Sequence, residues 1–285
     1  MAVIGVVRLQ ATTACLVSRF QDIEKFKENP AVLSIRKFAR PAGPKDLERF
    51  ALEPQDLADL SNCRIGACNV KLSARMLERL AHGIDWARSD SNTTAQSIFR
   101  DELLNYLETY LRDGDSALIE YRDKNKPVRL AEEFREVLDA NPGLAAFVPE
   151  FREYLKQYPR ERLRGVSEFF YWSTEGFGPK PVAGITHVSV YDQPGRAVIA
   201  SKQLYASHYF DASLGITAAV DDRSDPSHPA MVLVYLNRSR IDLLSGFLGS
   251  LRRAILRGRL RDEMRKSLGE VARKLESTCP EYPQP

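Results

Sequence analysis

The stretch that most constrains this chain is residues 180–242, where apolar residues recur at every second position and turn residues cut the pattern into pieces. The pieces are 181–191 (PVAGITHVSVY), 196–220 (RAVIASKQLYASHYFDASLGITAAV) and 231–242 (MVLVYLNRSRID). Asp192-Gln-Pro-Gly195 and the run from Asp221 to Pro226 separate them. Pro, Gly, Asp and Ser set turn dihedrals, so the pattern predicts a three-strand antiparallel meander. Side chains alternate across a strand. On the central piece this puts Leu204, Ala206, His208, Phe210, Ala212, Leu214, Ile216 and Ala218 on one face. Ser201, Gln203, Tyr205, Ser207, Tyr209, Asp211, Ser213 and Thr217 take the other. A run that long exceeds an ordinary strand, and a bulge or bend is expected near residues 211–215.

Before the meander, residues 2–9 alternate as a strand. Thr12 or Thr13 then caps a helix whose inner stripe is Leu16, Phe20 and Ile23, stopped by Asn29-Pro30. Residues 31–39 and 64–72 read as two further strands, with short helices at 45–52 and 55–60 between them. From Ser73 the period lengthens to about 3.6 residues, which predicts a helical insertion over 73–164. Its helices are expected after Ser73, from Asn92 or Thr93 to Asp113, and at 116–122, 130–138 and 144–157. Residues 166–173 return to strand composition. After Asp242 one amphipathic helix is expected over 243–275, kinked at Gly258. The class is therefore α+β. Its parts are 1–72, the insertion 73–164, the remainder 165–278, and a loosely ordered tail 279–285.

The order of elements is that of the helix-grip fold, in which a curved antiparallel sheet wraps one long C-terminal helix. Two segments carry a family resemblance. GVVRLQATTACLVSRFQDIEKFK near the N-terminus is similar to the opening strand, small-residue turn and helix of the START-related (SRPBCC) superfamily. YLNRSRIDLLSGFLGSLRRAILRGRL, beginning at Tyr235, is similar to its last strand and closing helix. The resemblance implies a cavity between sheet and helix for a lipid or other hydrophobic small molecule. It carries no catalytic signature, and it has no counterpart for residues 73–164.

Within that expectation, the ligand-contacting residues are His187, Tyr205, His208, Phe210, Tyr235, Asn237, Arg238, Leu248 and Leu251. They combine oily side chains with polar anchors, as small-molecule sites do. His208 also suits a general base, with Asp211 as its orienting carboxylate, which would make the chain an enzyme of the cyclase or hydratase kind. A core histidine bonded to backbone fits the same sequence. A third reading is an interaction protein whose cavity is filled by side chains. No G-x-S-x-G, G-x-G-x-x-G, Walker or H-E-x-x-H pattern is present, so no cofactor or metal is expected.

Charge excludes one partner class: 41 basic and 38 acidic residues are interleaved, the net charge is only +3, and no nucleic-acid footprint is visible. The basic helix at 252–265 offers transient contact with a membrane surface. No apolar run is long enough to span a bilayer. The opening residues lack the marks of a signal peptide, and the compartment stays open between cytoplasmic and exported. Of the four cysteines, only Cys63 and Cys68 are close. They fit either a disulfide or two reduced thiols.

Overall fold

A computed structural model describes residues 1–224, 229–242 and 249–279, the side chains of 249–257, 259 and 260 excepted. The chain runs β1 (Ala2–Leu9), α1 (Thr13–Gln21), α2 (Ile23–Phe26), β2 (Val32–Lys37), α3 (Pro54–Leu60), α4 (Ala74–Gly83), α5 (Ser91–Asp113), β3 (Glu120–Tyr121), β4 (Val128–Arg129), α6 (Leu130–Asp139), α7 (Pro142–Phe147), α8 (Pro149–Gln157), β5 (Val166–Phe177), β6 (Lys180–Gln193), β7 (Arg196–Ala206), β8 (Phe210–Asp222), β9 (Ala230–Ile241) and α9 (Gly249–Thr278). Seven strands form one antiparallel sheet in the order β1-β9-β8-β7-β6-β5-β2. The fold is thus α+β, with a large antiparallel sheet and a C-terminal helix.

Local signals were realised where one residue type sufficed to make them. Thr12 caps α1 by accepting from Cys15 N–H, and Ser73 caps α4 by accepting from Met76 N–H. Pro149 divides the expected 144–157 helix into α7 and α8. Two expected helices shrink to 3₁₀ turns at Pro44–Leu47 and Gly114–Ala117. Helix α9 runs through Gly258 without a break; the start expected for it, at 243–248, lies outside the described residues.

Two strand expectations are corrected. The 196–220 run is not one strand but two, β7 and β8, reversing at Ser207–Tyr209 with Tyr209 at φ 62°. A register irregularity does fall between Phe210 and Ala212, but the reversal precedes it. Pairing of β7 with β8 ends at Lys202 and Leu214, beyond which the hairpin splays open. The wedge is filled from the preceding part of the chain. Tyr106 donates to the Leu204 carbonyl (2.8 Å), Tyr205 donates to the Lys71 carbonyl (3.0 Å), and Lys71 N–H donates to the Ser207 carbonyl (2.9 Å). Residues 64–72 are likewise not a sheet strand. They form a loop closed by the Cys63–Cys68 disulfide, bound to the segment around β3 through Gly66 N–H to the Arg122 carbonyl (2.7 Å).

The sheet has helices on both faces. The first face is covered by α1, α2 and α9, through Leu9, Leu16, Met231, Leu233 and Leu275 in one cluster and Phe20, Phe169, Val188 and Ile199 in another. The second face is covered by residues 38–158, whose Phe50, Phe99, Leu107, Phe134 and Phe151 meet Trp172, Ile185, Leu204 and Leu214 of the sheet. The insertion therefore shares one core with residues 38–72 and with the sheet.

Helix α9 is fastened at its C-terminal end. A disulfide joins Cys15 to Cys279, Arg19 donates to the Thr278 carbonyl, Lys274 to the Lys25 carbonyl, and Gln10 N–H to Glu276 (3.0 Å). Gly5 of β1 allows the helix to lie close, since a Cβ there would stand 2.3 Å from Leu268 Cδ1.

Candidate functional site

The residues expected to line one cavity fall on opposite faces of the sheet. His187 and Tyr205 belong to the second face, under the helical layer, and Arg238 shares that side by its register with Leu214. The Tyr205 phenol serves Lys71, and the Arg238 Nε is buried without a hydrogen-bond partner. Tyr235 and Asn237 belong to the first face, toward α9. Phe210 is half-buried against Phe177, with ring centroids 4.7 Å apart. Leu248 lies outside the described residues. Leu251 lies in α9, but its side chain is not described.

The His208–Asp211 dyad is corrected. His208 Nε2 lies 2.7 Å from Asp56 of α3, and Asp56 also accepts from Lys180 (2.6 Å). Asp211 instead pairs with buried Lys71 (2.8 Å). The reversal at Tyr209 gives the two residues different neighbours. Burial would raise the Asp56 carboxyl, but its bonds to His208 and Lys180 hold it below the ordinary range.

His187 is enclosed by aromatics. Its ring stacks on Phe170 at 4.3 Å, and Nδ1 meets the Tyr110 hydroxyl at 3.1 Å. Burial, only partly opposed by Glu168, lowers its pKa below 6.5. A lowered histidine contributes stability that is present above its unfolded pKa and lost as pH falls through the folded one. Stability should therefore begin to fall below pH 6.5, with a slope up to about 1.4 kcal/mol per pH unit. In His187→Gln that part of a urea-midpoint profile should be flat; an unchanged slope would assign it to another group.

The better candidate site is on the first face. Toward one end of the sheet its side chains are apolar, as a covered face requires. Toward the other they become polar or small: Ser201, Gly215 and Asn237 form one cross-strand row, and Ser213 and Ser239 the next. Ser213 and Ser239 hydroxyls are 2.9 Å apart, Ser239 donates to Asn237 Oδ1 (2.7 Å), and Asn237 Nδ2 donates back to Ser213 (3.3 Å). Tyr235 stands beside Gly215, where a Cβ would come within 3.3 Å of its hydroxyl. Gln203 Oε1 is buried with no hydrogen-bond partner.

This floor is bordered by an ion pair that the sequence did not single out. Lys27, just after α2, donates to Glu175 (2.5 Å) and to Tyr171 (3.3 Å), and Ser173 donates to the same Glu175 oxygen (2.7 Å). Burial works against both charges. Glu175 and Tyr171 nonetheless raise the lysine above its ordinary value, and Lys27 with Ser173 lowers the carboxyl. The Tyr235 pKa is raised by burial, against the bond from Asn237 and the nearby Lys27. The pair thus stays charged while the rest of the floor offers neutral donors and acceptors. Among the described residues no cluster of His, Cys, Asp or Glu is fit to hold a metal.

The chain matches no protein-family model, no curated protein and no solved structure. Functional inference therefore rests on the floor's own chemistry. Two open grooves, of about 390 and 330 Å³, lie beside β2 and between α4, α5 and the segment around Ile119. Neither is lined by His208 or by the residues of the floor.

Proposed function

We propose that the protein binds a small amphiphilic molecule between the first sheet face and α9, as the helix-grip resemblance suggests. The reading is non-enzymatic binding or carriage, of a lipid or another mainly apolar compound with a neutral hydrogen-bonding group. The observation that carries it is the polar half of a sheet face that elsewhere is packed with apolar side chains. A buried acceptor without a partner costs about 1–3 kcal/mol, and a ligand hydroxyl or amide at Gln203 Oε1 would recover it. The Ser213–Asn237–Ser239 ring can hold a second polar atom of the ligand. The Lys27–Glu175 pair is already neutralised, which disfavours a strongly charged head group. Disulfide pairing of all four cysteines favours an oxidising, extracytoplasmic compartment.

Native mass spectrometry of protein purified from a lipid-containing host, followed by organic extraction, tests this. A molecule bound near one per chain is expected. A bare protein that takes up nothing on titration would remove the carrier reading. Gln203→Leu is expected to weaken retention about tenfold while raising apo stability by about 1 kcal/mol, since it deletes an unpaired buried acceptor. The enzyme reading keeps one support, the 2.7 Å contact of His208 with Asp56, and predicts turnover that is lost in His208→Gln with binding retained.

A further inference from the structure

A different surface stands out on the second face of the sheet. Helix α6 packs mainly on β8 and meets β9 at its far end, where Arg240 pairs with Glu133 (2.8 Å) and Glu136, and Leu236 and Ala218 lie at the border of that core. Toward the other end β1, β9 and β8 present an apolar face to solvent. Their register puts Ile4 beside Leu236, Val6 beside Val234 and Ala218, and Val232 beside Val220. Ile4 is 65 % exposed, Val6 62 %, Val220 55 % and Val232 37 %. Scattered exposed apolar residues need no explanation, but four on three adjacent strands and one face form a patch. These side chains expose roughly 400 Å² per chain, comparable to the largest patch an ordinary monomer carries.

We propose that this face is the interface of a twofold homodimer, in which the β1-β9-β8 sheet faces of two copies stack on each other. Three features select a second copy. The surface is a pleated face rather than a groove, and two such faces stack with interdigitated side chains about 10 Å apart. Two copies would bury roughly 800 Å² of apolar surface, so an interface of the roughly 1,200–2,000 Å² that a stable dimer needs includes the polar border as well. The border is nearly neutral: Arg8 is paired with Asp222 (2.8 Å), which leaves exposed Arg196 opposite Val220. A nearly neutral border lets two identical faces approach without repulsion, whereas an anionic membrane would favour a uniformly basic one. The interface lies across the sheet from the candidate ligand floor and does not depend on it.

Sedimentation velocity between about 1 and 100 μM tests the proposal, a range that reveals micromolar or tighter association. The wild-type chain is expected at twice its 32.2 kDa mass. Val6→Lys and, independently, Val220→Lys are expected to sediment as monomers with unchanged circular dichroism and a melting temperature that no longer depends on protein concentration. Leu33→Lys, an equally exposed site on the opposite edge strand β2, is expected to remain dimeric. A wild-type monomer throughout this range would overturn the proposal. So would a dimer that survives both folded lysine variants, or a monomer that co-floats with phosphatidylcholine vesicles.

Discussion

Replacing both Cys15 and Cys279 by serine is expected to lower stability by about 2–5 kcal/mol, toward the upper end of what one disulfide contributes. The bond closes 264 residues of sequence, so in the unfolded chain it removes nearly all the freedom of the two ends relative to each other. It also joins α1 to the residue that follows α9, whose other fastenings are the Arg19 and Lys274 contacts with backbone carbonyls and the Gln10–Glu276 bond. Such exposed contacts are individually weak. The Cys63–Cys68 bond closes only a five-residue separation, and Cys63→Ser/Cys68→Ser should cost about 2 kcal/mol or less. Urea unfolding of the two double variants should rank them in that order, and a reductant should shift the wild-type midpoint but not that of a chain lacking all four cysteines. Hydrogen exchange adds a functional readout: loss of protection confined to α9, with any bound molecule released and the β5–β8 sheet still protected. Equal losses in the two double variants would mean that loop length does not govern the effect.

What the sequence made legible was local. A threonine before Leu16 and a serine before Met76 each complete a cap through one hydrogen bond, and Pro149 stops a helix by lacking one. The reversal at Ser207-His208-Tyr209 carries no Gly, Pro or Asn, and its one turn-forming residue, Ser207, does not interrupt the alternation around it. Tyr209 is held at positive φ by its surroundings, its hydroxyl accepting from Lys180 N–H (3.0 Å) and its carbonyl from Asp242 N–H (2.9 Å). Alternation failed for a related reason. Gln203 pairs with Thr186 but Tyr205 with Ile185, so Leu204 is an extra residue, and Gln203 and Tyr205 face opposite ways although they are two apart. Alternation along a single strand put Ser201, Gln203 and Ser213 on one face together with Tyr205, but the chain reverses between Gln203 and Ser213, and Tyr205 faces the other way. That the face of Ser201 and Ser213 lies under α9 is a property of the assembled layers.

The residues with the most chemistry were hidden by distance along the chain. His208 finds Asp56 across 152 residues, and Lys27 finds Glu175 across 148. No spacing rule operates at that range, because the partner is chosen by which loop the sheet brings alongside. The two faces also could not be ranked in advance. An amphipathic stripe such as Leu103, Leu107 and Tyr110 says that a helix has an inner side, but not which face of the sheet will receive it.

Lys71→Met is expected to cost about 3–5 kcal/mol at neutral pH, the loss that follows when one member of a buried charged network is removed. Lys71 is buried where the splayed β7–β8 hairpin meets the 64–72 loop, 2.8 Å from Asp211 and 3.4 Å from Asp242, with its ammonium 4.9 Å from the centre of the Tyr121 ring. Burial would lower its pKa, but Asp211, Asp123 and Asp242 together raise it. That contribution is complete below the unfolded lysine value and is lost only as pH rises through the higher folded one. Asp123 has the opposite sign: burial raises its carboxyl even with Lys71 nearby, so its charged form opposes folding, and that cost disappears as pH falls through its folded pKa. Methionine matches the stem of lysine but supplies no cation, leaving Asp211 and Asp123 without the ammonium they share, while Asp242 keeps its pairing with Lys124 (2.7 Å). Protonation of Asp123, whose carboxyl is already raised by burial, should relieve this, so the deficit of Lys71→Met relative to wild type should shrink as pH falls below 7. Lys71→Met/Asp211→Asn should regain part of the loss at pH 7 for the same reason. A deficit that does not change with pH would show that packing around the lysine stem, rather than its charge, holds the open end of the hairpin to the loop.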